Sequence, residues 1–217
     1  MNFEQARFNM IEQQIRPWEV LDQGVLGLLA IDRREDFVPQ ACRALAFADT
    51  EVPLPEGQVM LAPKIEARLL QALKVARHER VLEVGAGSGH MAALLAHKAQ
   101  RVITLEIRPT LVAMAAANLR HAGVTNATVL EADGSKGLPA EAPFDAIVLS
   151  GSVASVPQGL LDQLKIGGRL VAIVGQQPVM HATLMTRVAA NQFKREELFD
   201  TVAPRLQGFP EPPPFRF

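Results

Sequence analysis

Val81-Leu82-Glu83-Val84 runs directly into Gly85-Ala86-Gly87-Ser88-Gly89, and the residues that follow, His90-Met91-Ala92-Ala93-Leu94-Leu95, are helix formers. A short apolar run, then glycines, then a helix is the first strand-to-helix turn of an open α/β sheet, where such sheets bind ligands. The loop reads G-x-G-x-G, not the G-x-G-x-x-G of a dinucleotide site, and Glu83 stands two positions before the first glycine. A pyrophosphate seeks bare amides and the positive end of a helix, whereas an acid beside the loop repels it and favours an ammonium or a sulfonium. A tight turn packed closely on its helix would use the same glycines, so the loop alone leaves both readings open.

Downstream the pattern repeats. RVITLE, ATVLEA, FDAIVLS and GRLVAIV are β-rich runs separated by Ala-rich helices or, after Pro157, by a shorter helix, which predicts a parallel α/β sheet. TLMTRVA and FKREELFD, joined across Ala190-Asn191-Gln192, alternate with period two and predict an antiparallel hairpin added to it. Two further acids fall at strand ends. Glu106 closes the second strand, 21 positions after Gly85, where a carboxylate accepts from ribose hydroxyls. Asp133-Gly134 follows the third strand, where an acid accepts from an exocyclic adenine amine and a glycine lets the backbone approach. Each acid alone is equally a turn residue, but together they outline a nucleoside pocket, and S-adenosylmethionine carries both cations and no phosphate.

Upstream, Phe3, Ala6, Met10, Ile11 and Ile15 share a helix face that Arg16-Pro17 ends. Val20, Leu21, Gly24, Val25, Leu28 and Leu29 give a second face, and Ile65, Leu69, Ala72 and Leu73 a third, opened by Pro63. Ala48 to Ala62 reads as an irregular connection. The expected organisation is one globular unit: residues 1–78 supply N-terminal helices and the acceptor-side segment, 79–207 the cofactor-binding α/β part, and 208–217 a proline-rich tail. In 217 residues, 22 Lys and Arg against 23 Asp and Glu leave a net charge of -1, which gives no field for gripping nucleic acid or anionic lipid. No apolar run approaches the ~20 residues of a membrane span. Glu4 and Arg7 interrupt the place of a signal peptide's apolar stretch, so the expected location is the cytoplasm. The single cysteine, Cys42, forms no internal disulfide and reads as a small buried hydrophobe, and the five histidines show no metal-ligand spacing.

On these residues the chain resembles the class I S-adenosylmethionine-dependent methyltransferases, and more narrowly the protein-L-isoaspartate O-methyltransferase family. The narrower likeness is carried by DFVPQACRALAFADTEVPLPEGQ (36–58), by KIEARLLQALKVARHERVLEVGAGSGH (64–90) and by FDAIVLSGSVASVPQGLLDQLKIGGRLVAIVG (144–175). It implies a Rossmann-like, seven-stranded, mostly parallel sheet with helices on both faces, an unusual order of the last two strands, and an N-terminal helical extension. The implied activity is methylation of isoaspartyl carboxylates in proteins or peptides, with S-adenosyl-L-homocysteine as product. The implied cofactor site is Glu83, Gly85, Ala86, Gly87, Ser88, Gly89, Glu106, Ile107, Asp133 and Gly134, with no metal.

One segment departs from the family. After Gly-Gln the family has Thr-Ile-Ser-Gln-Pro, whose hydroxyls sit beside the methyl-transfer centre, whereas this chain has Gln58-Val59-Met60-Leu61-Ala62-Pro63. Val59 and Leu61 therefore mark a diverged acceptor site, with Gln58 and Ser150 as nearby polar substitutes. Capping of a turn is the competing role for Ser150 and Ser152. His90 replaces the family's Tyr, and packing or exposure is its competing role. Three functions fit these letters: weakened isoaspartyl methylation, methylation of another acceptor, and cofactor binding without turnover.

Overall fold

The computed structural model of the protein describes residues 2–211. Seven strands form one sheet: β1 (Arg80–Val84), β2 (Arg101–Glu106), β3 (Ala127–Glu131), β4 (Phe144–Val153), β5 (Leu164–Gln176), β6 (Val179–Ala189) and β7 (Gln192–Asp200). Their order is β3-β2-β1-β4-β5-β6-β7, so the sheet reverses direction between β1 and β4 and ends in strands that follow chain order. The first five strands pair in parallel, and β6 runs against both its neighbours. The crevice at such a reversal is open at the carboxyl ends of the strands.

Alternation along β1 divides the molecule. Val81 joins a core built with α1 (Phe3–Met10), α2 (Gln23–Ile31), α3 (Pro63–Leu73), α4 (His90–Lys98) and α5 (Pro109–His121), while Leu82 and Val84 join the core on the other face. Glu83 lies between them on the helical side. The second face carries only short turns, Gly134–Lys136 and Pro139–Glu141, and the single-turn α6 (Gln158–Leu161), so helical cover is unequal. Leu206 and Phe209 fill part of the gap, Phe209 being buried. The N-terminal helices share one continuous core with the sheet.

Three local expectations are corrected. Val20 and Leu21 precede the second helix, whose cap is Asp22: its carboxylate accepts from Val25 N at 2.8 Å, and Leu21 is exposed. The 48–62 connection contains a small antiparallel ladder, Val52–Pro53 with Val59–Met60. Ser150 and Ser152 cap nothing, because both lie within β4. Residues 212–217 of the expected proline-rich tail lie outside the described residues. No helix among the described residues is long and apolar enough to cross a membrane.

Candidate active site

The glycine loop leaves β1 with Gly85 N and Ala86 N both donating to Leu105 O of β2, at 2.8 and 3.2 Å. Gly85 adopts φ +92°, and a Cβ there would meet Leu206 at 2.8 Å. Gly134 is required for a different reason: a Cβ on it would stand 2.2 Å from Val84 Cγ1, so the turn after β3 closes against β1 only without a side chain. These constraints leave a cleft of about 570 Å³ lined by Val84, Gly85, Gly87, Leu105, Glu106, Ile107, Leu111, Ala132, Gly134, Ser150 and, on the rim, Gln58, Val59, Arg108 and Arg205–Gln207. A second cleft of about 280 Å³ continues from it and shares Val59, Gly85, Gly87 and Ser150, adding Leu61, Glu66, Glu83, Ser88, His90 and Met91.

The two acids nearest the loop differ in state. Glu106 is buried and fully engaged by backbone donors: Oε2 accepts from Gly87 N at 3.0 Å, and Oε1 from Ile107 N and Arg108 N at 2.9 and 3.1 Å. It fixes the loop, and Oε2 still has a lone pair for a hydroxyl. Glu83 is fully buried, accepts from Ser150 Oγ at 2.7 Å through Oε1, and leaves Oε2 without a partner. Burial pushes its carboxyl up to about 8; the Ser150 bond and the neighbouring Thr104 hydroxyl, itself buried without a partner, oppose the rise, and the Glu66 and Glu106 carboxylates add to it. A buried carboxyl with an orphaned oxygen fits an ammonium, which would both pair with it and favour its ionisation. The apolar slot of Val84, Leu105, Leu111 and Ala132 beside Glu106 fits a nucleoside. The residues present therefore fit a ligand that combines an amino acid's cation with a nucleoside.

Asp133 stands apart from that pair. It is exposed at the end of β3, and its Oδ1 accepts from Ser135 N at 2.9 Å, a bond that holds its carboxyl below the usual range. Its neighbours Ala132 and Gly134 line the cleft, and it occupies the rim. On the opposite side, Val59 is half-buried and lines both clefts, whereas Leu61 is buried, packs into the core and lines only the second cleft. Gln58 Nε2 donates to Glu56 O at 3.3 Å. The Ser150 hydroxyl is committed to Glu83.

The largest correction concerns His90. Sequence reasoning places it on the surface or in packing contacts, yet it is 1% exposed and held between two acids, Asp32 (Nε2 to Oδ2, 2.8 Å) and Glu66 (Nδ1 to Oε2, 3.0 Å). Burial alone favours the neutral ring, but the Glu66 and Asp32 charges outweigh it and raise His90 to about 9. Arg34 pairs with the same Glu66 oxygen. Glu66 is itself held below its ordinary value, because Arg34 and His90 outweigh its burial. Nothing in the local sequence marks Glu66 and Arg34 as partners of His90. The C-terminal strap was also missed: Ser152 N donates to Pro204 O and Leu206 N to Ser152 O, at 2.8 and 2.9 Å, which lays Arg205 to Gln207 along the cleft.

This arrangement can be set beside known proteins. The family model for protein-L-isoaspartate(D-aspartate) O-methyltransferase (PCMT) matches residues 6–202. A protein-L-isoaspartate O-methyltransferase of Koribacter versatilis is 40% identical over 198 residues, covering 91% of this chain and 89% of that protein. One from Rhodopseudomonas palustris is 42% identical over 209 residues, covering 94% and 96%. A Plasmodium falciparum structure bearing the family's name, solved in complex with S-adenosyl-L-homocysteine, superposes with a TM-score of 0.79 at 21% identity and covers 95% of this chain and 99% of that one, a likeness of fold. The family model spans the acids, the glycine loop and the diverged 58–63 segment alike, and with it the chain belongs to the protein-L-isoaspartate(D-aspartate) O-methyltransferase family.

Proposed function

We propose that this protein transfers a methyl group from S-adenosylmethionine to the carboxylate of isoaspartyl residues in proteins or peptides. The observation that carries the reading is the family match over residues 6–202, which coincides here with an intact donor cleft. When bound, S-adenosylmethionine supplies an electrophilic methyl on a sulfonium. In this reading Glu83 takes the ammonium on its free oxygen and Glu106 accepts from the ribose. Gly85 to Gly89 give close backbone approach. Ile107, Ala132, Gly134 and the rim carboxylate of Asp133 border the base.

The acceptor needs no general base, because a carboxylic acid with a pKa of about 4 is already ionised at neutral pH. The protein has to exclude water and align the acceptor with the methyl. Val59 and Leu61 offer no hydroxyl for that, so alignment falls to the polar rim. One charge-assisted hydrogen bond contributes about 1.5–3 kcal/mol, so its loss slows the reaction roughly tenfold to a hundredfold. The apolar Val59 favours a second reading, a different acceptor at the same donor site. Incubation with labelled S-adenosylmethionine and an isoaspartyl peptide tests both: methyl ester formation is expected, and normal donor binding without any esterification would overturn the isoaspartyl assignment.

A further inference from the structure

Asp32, Arg34, Glu66 and His90 come from the end of α2, the turn Arg34–Asp36, α3 and the first turn of α4, and none is more than 7% exposed. Besides its pairing with Glu66, Arg34 donates through Nη2 to Leu61 O at 2.7 Å and through Nε to Ala46 O at 2.9 Å. Two carboxylates and two cations balance. A buried set of this kind gains little stability over an apolar filling of the same volume, because desolvation offsets the Coulombic attraction. Its place in the fold suggests another role. It sits under the second cleft, between the 58–62 segment and the helix that begins at the glycine loop.

We propose that the Asp32–His90–Glu66–Arg34 cluster positions the acceptor: through Arg34 it fixes the Leu61 carbonyl, and with it Val59 and Met60, against the glycine-loop helix. The four are positioning residues acting through the 58–62 backbone. Its other backbone restraints are the two-residue ladder of Val52 with Met60 and Pro53 with Val59, the bonds from Leu54 N to Gln58 O at 2.8 Å and Gln58 N to Pro55 O at 3.2 Å, and Ala62 O accepting from Ile65 N and Glu66 N at 3.0 and 3.3 Å, none of which holds Leu61 O. Only the kinetic arm of the test below rests on the methyltransferase reading.

The clamp depends on a doubly protonated imidazole. A neutral ring donates from one nitrogen and satisfies one carboxylate, whereas His90 faces Asp32 at Nε2 and Glu66 at Nδ1, with Arg34 Nη1 also 3.1 Å from Nδ1. Around it stand Asp32, Glu66 and Arg34, the edge of the Phe37 ring at 5.3 Å between centroids, and Arg7, which borders the same small cavity and pairs with Glu35. Glu83 lies beyond Glu66 across the second cleft. His90 is raised above its ordinary 6.5 to about 9. Its contribution is therefore complete below pH 6.5 and is lost as pH rises through about 9.

Hydrogen exchange on the full chain tests the proposal. In the wild type, protection of the 58–62 amides, corrected for intrinsic rates, should fall about tenfold as pH passes the His90 value, with β4 unchanged. The charge-balanced double variant Asp32→Asn with His90→Gln should show that loss already at pH 7 and no further pH dependence. Its KM for an isoaspartyl peptide should rise about tenfold while donor affinity stays within about twofold. Unchanged 58–62 protection in the variant, or a loss shared equally with β4, would overturn the proposal. If the variant does not fold, the wild-type profile between pH 7 and 10 decides alone: a flat profile refutes the clamp. A wild type that esterifies no peptide would sink the isoaspartyl reading and leave the exchange result to judge the clamp.

Discussion

The two halves of the cleft are built by different means. The donor half is assembled from consecutive letters at strand ends: Glu83 and the glycines that follow, Glu106 anchoring Gly87, and Gly134 closing on Val84. The proposed acceptor half is backed by charges from four separate stretches, Asp32, Arg34, Glu66 and His90, meeting out of water behind a segment with little regular structure. Where sheet register positions a residue, the side chain's chemistry is free to serve the ligand. Where register is absent, side chains are used up in holding the backbone.

The contrast predicts effects of graded size. Glu83→Gln strikes the donor half hardest and should lower S-adenosylmethionine affinity about a hundredfold, the upper scale of a charge-assisted bond, as read by calorimetry. The same residue gives a pH signature. With its carboxyl raised to about 8, the free protein holds that proton at pH 7 and an arriving ammonium expels it. Affinity should therefore climb as pH rises toward 8, and calorimetry in two buffers of different ionisation enthalpy should report net proton release. No release would show that Glu83 does not meet the ammonium.

Glu106→Ala should weaken donor binding by roughly tenfold to thirtyfold, since it removes a hydroxyl acceptor and frees the Gly87, Ile107 and Arg108 amides. A smaller effect than that of Asp133 would move the ribose elsewhere.

Val59→Thr alone sharpens the contrast from the other side. The side chain faces both clefts, so a hydroxyl there should raise the rate on isoaspartyl peptide about tenfold and leave donor affinity unchanged. Leu61→Ser should not help, because Leu61, although it borders the second cleft, is buried and packs into the core, and its loss costs about 2–5 kcal/mol of stability, visible as a lowered Tm. A rate gain from Leu61→Ser would mean that its side chain turns toward the acceptor. The smallest effect is expected at Asp133→Asn, about twofold in donor affinity, because this exposed carboxylate is already committed to Ser135 N.

Much of the donor half was legible from the letters. A strand, a glycine loop and a helix form a local unit, and acids at the ends of successive parallel strands must face one crevice whatever the packing details. The sheet and its terminal hairpin followed from hydrophobic periods of two and 3.6, which survive in any context that buries one face. His90 was misplaced because burial of a histidine depends on what surrounds it. Its partners lie 58 and 24 positions away, beyond the reach of any local pattern. The partner of Ser150 was hidden for a related reason. Its hydroxyl meets Glu83 only because β4 lies next to β1 with the two side chains on one face, a pairing that skips two intervening strands.

The sequence by itself determined the strands, the glycine loop, the acids around it and the divergence at Val59 and Leu61, since each is fixed by local chain geometry and residue chemistry. Only the tertiary structure decided that Glu83 is buried with a free oxygen, that Leu61 packs into the core and borders one cleft while Val59 borders both, and that the His90 ring is held between two acids behind the 58–62 segment. Those outcomes depend on burial and on distances of a few ångströms between residues remote in the chain. Charge state and hydrogen-bond partners follow from that environment and not from the residue alone.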